Sequence, residues 1–198
     1  MRIYFYRHLP TINNLNSTFI GRLDLKCDSV FIDEHRTEIN NTMGKHSFKQ
    51  IFCSPLQRTK QSADLFFPGA TVIIDRRLIE RDLGEWKNVP KQEVRSKFPD
   101  AFFPNGNLNF NFTPPGGEQF ADVLKRVSSF LLDLNDNYDI DDEIAVVTHN
   151  GIITAVKCLI NGTTSTEQIE FQPFLKEYII ELSAPFLKKL GTYFSSFK

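Results

Sequence analysis

The sequence predicts an α/β fold in three layers, with helices packed on both faces of a mainly parallel central sheet. Three observations lead there. Apolar runs without polar alternation recur at residues 3–6, 50–53 and 143–148, as in strands buried on both faces. Segments of helical periodicity separate them, the strongest carrying Phe120, Val123, Leu124, Val127, Phe130, Leu131 and Leu134 on one face. Strands that alternate with helices imply a largely parallel sheet covered on both sides.

In chain order, residues 3–6 form the first strand, and the polar, Asn-rich stretch 12–28, with Gly21-Arg22-Leu23-Asp24, reads as an irregular loop. Asp28 caps a helix running to about Met43, with Gly44 as its stop. After the strand at 50–53, Ser54 suits an N-cap and Pro55 the first helical position. That helix carries Leu56, Ala63, Phe66 and Phe67 as its apolar stripe and ends at Pro68-Gly69. Residues 71–74 are a third strand, 76–86 a loop and 90–98 a short helix. Periodicity is lost over 98–117, where Phe, Asn, Pro and Gly dominate, and a loop of that length is expected to serve function as a lid. The long helix follows, then an acidic turn at 139–143, the best strand at 143–148 and a buried helix over 152–160 stopped by Gly162. Residues 177–182 are a late strand, and the tail from Ala184, with Phe186, Leu187, Tyr193 and Phe194, has no assignment.

The chain has 198 residues and no internal repeat or linker, so one domain over 1–198 is expected. A net charge of −1 gives no global field for nucleic acid or an anionic membrane. Any preference for an anion must be local. Cys27, Cys53 and Cys158 are far apart and lack ligand spacing, which argues against a metal site and a disulfide framework. No apolar stretch approaches the length of a membrane span, and Met1 leads into the first strand without a signal-like leader. The expectation is a cytoplasmic protein without cofactor, nucleic-acid or membrane partner; the sequence is silent on oligomeric state.

Two histidines share one feature: His8 and His149 each follow directly on a predicted strand. Strand ends on one edge of a parallel sheet lie close together, where ligand crevices form. Arg7 precedes His8, and Arg58 lies near the start of the helix after the second strand, on the same edge. Two guanidiniums and two imidazoles around one point need an anion. A phosphate monoester meets that need, since guanidiniums bind its terminal oxygens as forks.

These residues also carry a resemblance. Arg7-His8 with Thr11 and Asn14, the segment Ser54-Pro55-Leu56-Gln57-Arg58-Thr59-Lys60-Gln61-Ser62-Ala63, and Leu78-Ile79-Glu80 with Gly84 and Trp86 resemble motifs of the histidine phosphatase (phosphoglycerate-mutase-like) superfamily. Pro115-Gly116-Gly117-Glu118 and Val147-Thr148-His149-Asn150-Gly151 match two more, all five in family order. The resemblance implies a phosphoglycerate-mutase-like fold and a metal-independent phosphomonoesterase. His8 is then the nucleophile that forms a phosphohistidine, and Glu80 the general acid and base. Arg7, Arg58 and His149 hold the transferring phosphoryl group, with Asn14 as a further phosphate ligand. Glu85 is the rival carboxylate and Asp82 a weaker one; Glu118 reads equally well as an acid at a helix N-terminus.

One departure stands out: the family glycine after the histidine is Leu9, followed by Pro10. Leucine restricts the backbone and can reshape the carbonyl that orients His8. The short chain and Gly21-Arg22-Leu23-Asp24 resemble the small phosphatase, α-ribazole-phosphatase-like branch. On that footing a small phosphorylated metabolite is the expected partner, with Gly21, Arg22, Lys87 and loop 102–112 near its leaving group. Phosphoglycerate mutase is the alternative, although only about thirty residues separate the Glu80 and Gly-Gly-Glu segments, a compact connection. A module that binds a phospholigand without turnover is the third reading.

Overall fold

The structure is a computed structural model that describes residues 1–42 and 46–195. Its sheet has five strands: β1 (Arg2–Arg7), β2 (Gln50–Cys53), β3 (Val72–Ile74), β4 (Glu143–Thr148) and β5 (Glu177–Glu181). They lie in the order β3-β2-β4-β1-β5, the first four parallel and β5 antiparallel at one edge. The helices are α1 (Ile12–Leu15), α2 (Ser29–Glu34), α3 (Arg36–Thr42), α4 (Gln57–Phe66), α5 (Lys91–Lys97), α6 (Phe120–Asn137), α7 (Asn150–Asn161) and α8 (Ala184–Ser195).

The period of two along each strand sorts side chains into two cores. Ile3 and Phe5 of β1, Phe52 of β2 and Ile144 and Val146 of β4 face α6, α7 and α8. Tyr4, Tyr6, Ile51, Cys53, Ala145 and Val147 face the side of α3 and α4, with Ile39, Ala63 and Phe66. This is the three-layer α/β/α arrangement the apolar runs predict. A third cluster, built on Phe19, Leu83, Trp86, Val94 and Ala101, lies under the connecting segments.

The register sets up the site. Arg7 stands opposite Thr148 and Cys53 opposite Val147. His8, Ser54 and His149 therefore leave three adjacent parallel strands at neighbouring points on the carboxyl edge, where the crevice of an open α/β sheet forms.

Three sequence expectations need correction, and one segment left without an assignment gains an element. The helix expected from Asp28 to Met43 is broken in two. Asp28 caps α2 through Oδ1 to the Phe31 N–H at 2.8 Å, but His35 leaves the helix, its Nδ1 3.0 Å from the Phe31 carbonyl and its ring stacked on Phe31. The stop at Met43-Gly44 lies outside the described residues. The Asn-rich loop holds the one-turn α1, whose N-cap Thr11 and Asn14 form a reciprocal capping box. Ser54 is not an N-cap: α4 begins three residues later, with Leu56 at the cap. The unassigned tail is α8, with Leu190 buried and Phe186 and Leu187 packed against the first core; the side chains of Tyr193 and Phe194 lie outside the described residues.

Candidate active site

His8 is fixed from three directions. Its backbone N–H donates to the Thr148 carbonyl at 2.9 Å. Its Nδ1 lies 2.6 Å from the Leu9 carbonyl oxygen, and the Nε of Arg58 lies 3.2 Å from its Nε2. A carbonyl only accepts and a guanidinium only donates, so Nδ1 carries the proton and Nε2 presents a lone pair. Burial, then the charges of Arg58 and Arg7, hold this imidazole well below its usual range, against the opposing pull of the Leu9 carbonyl. The result is a neutral ring whose Nε2 lone pair is held by Arg58.

Leu9 keeps the orienting carbonyl even though it replaces glycine. Its backbone φ is negative, so no glycine freedom is needed there. Its N–H donates to Ser62 Oγ at 2.8 Å, and its fully buried side chain joins the cluster of Tyr6, Ile39 and Phe66.

The ring of His149 stands 5.1 Å from that of His8, centroid to centroid. Its Nε2 is 2.7 Å from Ser54 Oγ, and its Nδ1 is buried with no partner. Burial and then Arg58 keep this ring, too, well below the usual imidazole range. Arg7 is buried between the rings of Phe174 and Phe171, at 3.7 and 4.3 Å. Its Nη1 donates to the Gln172 carbonyl at 2.9 Å, while its Nε has no partner. Burial, opposed by Glu80, draws the guanidinium down to about 9, still cationic at neutral pH. Arg58 donates Nη1 to the Leu23 carbonyl at 2.6 Å and Nη2 to the Gly21 carbonyl at 2.8 Å. Gly21 thus holds Arg58 through its backbone.

Glu80 reaches the same cleft from the segment after β3. Its Oε1 accepts from the Arg81 N–H at 2.8 Å and its Oε2 from the Gly151 N–H at 3.3 Å. It is the single carboxylate among the described residues that line the cavity. Glu85 is exposed outside it, and Asp82 accepts from the Gly84 N–H and pairs with Lys87 at 3.3 Å. Arg7, His8, Asn14, Gly21 and Arg58 line this cavity with Glu80, and its volume is about 840 Å³. Two guanidiniums and two neutral imidazoles, with Arg7 Nε and His149 Nδ1 buried and unpartnered, gather more donors and positive charge than Glu80 offsets, an arrangement suited to an anionic ligand.

Four expected positions differ. Asn14 turns its Oδ1 back to the Thr11 N–H at 3.0 Å, which leaves its amide nitrogen as the group for a ligand. Arg22 does not line the cavity. Its Nε donates to the Glu80 carbonyl at 2.9 Å and its Nη2 pairs with Glu118 at 3.1 Å, so it braces the Glu80 segment from behind. Glu118 is neither a cavity group nor a plain helix-end acid; it also binds Arg126 and accepts from the Asp82 N–H. Lys87, bound to Asp82, is likewise outside.

Sequence reasoning missed Ser54, Arg81, Lys91 and Arg95. Ser54 was hidden by its resemblance to a cap; the pairing of Cys53 with Val147 is the signal that places it beside His149. Arg81 is buried in the cavity wall, donating to the carbonyls of Glu118 and Phe112, both at 2.9 Å. Among the described residues, no group of three or more His, Cys, Asp or Glu side chains is placed to hold a metal ion, and no helix is long and apolar enough to cross a membrane.

Comparison with known proteins identifies the family and the fold. The family model described as histidine phosphatase superfamily (branch 1) matches residues 3–177. A 2,3-bisphosphoglycerate-dependent phosphoglycerate mutase of Methylorubrum extorquens is 25% identical over 166 residues, 80% of this chain and 78% of that one. Among solved structures, a mycobacterial glucosyl-3-phosphoglycerate phosphatase in complex with VO3 has a TM-score of 0.76 at 21% identity, covering 90% of this chain and 91% of its own. The α-ribazole phosphatase of Shigella flexneri has a TM-score of 0.75 at 20% identity, covering 93% and 92%. At those identities the two structures show the shared fold.

Proposed function

The chain belongs to the histidine phosphatase superfamily, and from that premise we propose that it hydrolyses phosphomonoesters of small metabolites through a phosphohistidine on His8. The observation that carries this reading is the paired environment of the His8 ring: Nδ1 lies 2.6 Å from the Leu9 carbonyl and Nε2 3.2 Å from Arg58 Nε, partners that put the proton on Nδ1 and leave Nε2 as the nucleophilic lone pair.

The steps follow from the groups present. Nε2 attacks phosphorus as the bond to the alcohol oxygen breaks, and that oxygen leaves with the proton of Glu80. Water then attacks the phosphohistidine and gives its proton to Glu80, and inorganic phosphate departs. Arg58 Nε donates to the Nε2 lone pair, so substrate entry must draw it onto a phosphoryl oxygen. Arg7 Nε and His149 Nδ1, buried without partners, supply donors for the other oxygens, in a site whose polarity is fixed before the charge develops.

The identity to a mutase favours transfer of the phosphoryl group to a second alcohol as the alternative. Hydrolysis is preferred because only about thirty residues join the Glu80 segment to the Gly-Gly-Glu segment, a compact connection. Rapid mixing with a phosphate ester followed by denaturation should trap an acid-labile, alkali-stable phosphoprotein. Release of phosphate without a bisphosphate primer is the second expected result. A phosphoprotein that still forms in His8→Ala, or turnover that strictly needs the primer, sinks the hydrolytic reading.

A further inference from the structure

The groups placed to hold a phosphoryl group account for only part of the cavity lining. The rest includes an apolar and aromatic set, Phe19, Phe102, Leu108, Phe110, Ile169 and Phe171, among polar residues such as Ser17, Thr18, Gln92 and Asn107. This part of the wall is built, since loop 102–112 is stitched to the segment after α7. Asn107 donates to the Glu167 carbonyl at 2.8 Å, Asn111 to the Thr164 carbonyl at 3.1 Å, and Thr166 Oγ1 to the Leu108 carbonyl at 2.7 Å. A three-carbon polyol phosphate leaves most of about 840 Å³ to water against these walls, whereas ligand pockets of that size bury most of a much larger molecule.

Charge gives the second constraint. The cavity lining holds five cations, Arg7, Arg58, Arg81, Lys91 and Arg95, against one carboxylate, Glu80. A phosphate dianion offsets two of the excess of four. Two of the cations stand beside these aromatic rings. Lys91 Nζ stands 5.9 Å from the ring centres of both Phe19 and Phe171, and Arg95 lies 4.8 Å from that of Phe102. Neither has an ion pair among the described residues. Arg95 is held by the Gly106 carbonyl at 2.7 Å, and burial followed by Arg7 disfavours the charge of Lys91.

We propose, on top of the hydrolytic reading, that the leaving alcohol is a large, flat, apolar body that carries an anionic group of its own. Its body lies between Phe19, Phe102 and Phe171, and its anion meets Lys91 and Arg95. Aromatic faces and cations alternating around one space suit such an amphipathic anion, and a neutral sugar or polyol uses neither.

The test uses the full chain and alcohols of nearly equal acidity, so that leaving-group chemistry does not enter. 2-Naphthylmethyl phosphate is compared with ethyl phosphate, and 4-carboxybenzyl phosphate with benzyl phosphate. Calorimetric binding of the matching phosphonates runs in parallel. The first ratio of kcat/KM should exceed about tenfold from the buried ring area, and the second about tenfold from a charge-assisted contact. Phe102→Ala should shrink the first ratio through KM, and Lys91→Met the second. A ratio at or below one in either pair overturns the proposal. If every ester turns over alike, this inference falls and hydrolysis stands. If no ester turns over while the naphthylmethyl and carboxybenzyl phosphonates bind at least tenfold more tightly than their partners, hydrolysis falls and this inference stands.

Discussion

A methyl group on the Cα of Gly151 would lie 2.2 Å from the Oε1 of Glu80. The glycine at the start of α7 therefore lets the carboxylate on the segment after β3 approach the helix end, where its Oε2 accepts from the Gly151 N–H. Its φ is not positive, so backbone freedom is not the reason. Close approach is.

Gly151→Ala should accordingly separate fold from chemistry. Alanine is the better helix former, so the denaturation midpoint should change little. Glu80 must move out of its position, and kcat should fall about 10²- to 10⁴-fold, the range for loss of a general acid. The loss should be smaller for 4-nitrophenyl phosphate, whose leaving group needs no proton. An equal loss on alkyl and aryl esters would mean that Glu80 does not protonate the leaving oxygen.

Ser54 and His149 form the next testable pair. Ser54→Ala leaves His149 Nε2 without its 2.7 Å partner in a fully buried position. The cost should be about 1–3 kcal/mol of stability, read from urea unfolding. The ring also loses the contact that sets its orientation, and a drop in kcat of roughly ten- to hundredfold is expected. Unchanged kinetics would remove His149 from the phosphoryl site.

Leu9 gives the opposite pattern. Restoring the family residue with Leu9→Gly empties a fully buried position in the cluster of Tyr6, Ile39 and Phe66, at a cost of roughly 3–5 kcal/mol. The carbonyl that orients His8 belongs to the backbone and remains. The folded fraction should keep its kcat while the urea midpoint drops. A large rise in kcat in the variant would show that leucine does hinder the nucleophile.

How much of this was legible in the sequence follows from what each element depends on. The central strands and the two histidines could be read because continuous apolar runs mark β1 and β4, and a residue directly after a strand end has only one edge to sit on. Arg58 could be placed on the same edge because it opens the helix after the second strand, whereas Glu80 came from motif spacing alone. What failed was whatever tertiary partners decide. Ser54 looks like a cap because serine before proline often is one, yet its hydroxyl is taken by a histidine 95 residues away. Arg22 has the charge to meet a phosphate ester, but Glu118 and the Glu80 carbonyl claim it from below. The resemblance quoted Gly84 and Pro115-Gly116-Gly117 without the reason they go together: a Cβ at Gly84 would lie 2.0 Å from the Pro115 oxygen, so the two segments interlock. The break at His35 turns on a ring stacked on Phe31, which no periodicity records.

Acid is expected to act on stability before it acts on the nucleophile. His8 and His149 are 3% and 0% exposed, and burial, helped by Arg58, holds both well below the usual imidazole range. In the unfolded chain each takes a proton near about pH 6.5; in the folded chain neither does until far lower. Above that pH both states are neutral and the pair contributes nothing to the pH dependence. Below it the unfolded state binds more protons, so the free energy of unfolding falls as pH falls. The slope is about 1.4 kcal/mol per pH unit for each ring and about 2.7 for the two together, until the folded rings themselves titrate. Urea unfolding between pH 7.5 and 5 should show this loss beyond that of carboxylates, and His149→Asn should remove about half of the slope. Over the same range kcat/KM of the folded enzyme should show no loss from protonation of His8, because Nε2 keeps its lone pair. A plateau in stability across this window would mean that the rings are accessible to protons in the folded protein, and the neutral nucleophile would have to be abandoned.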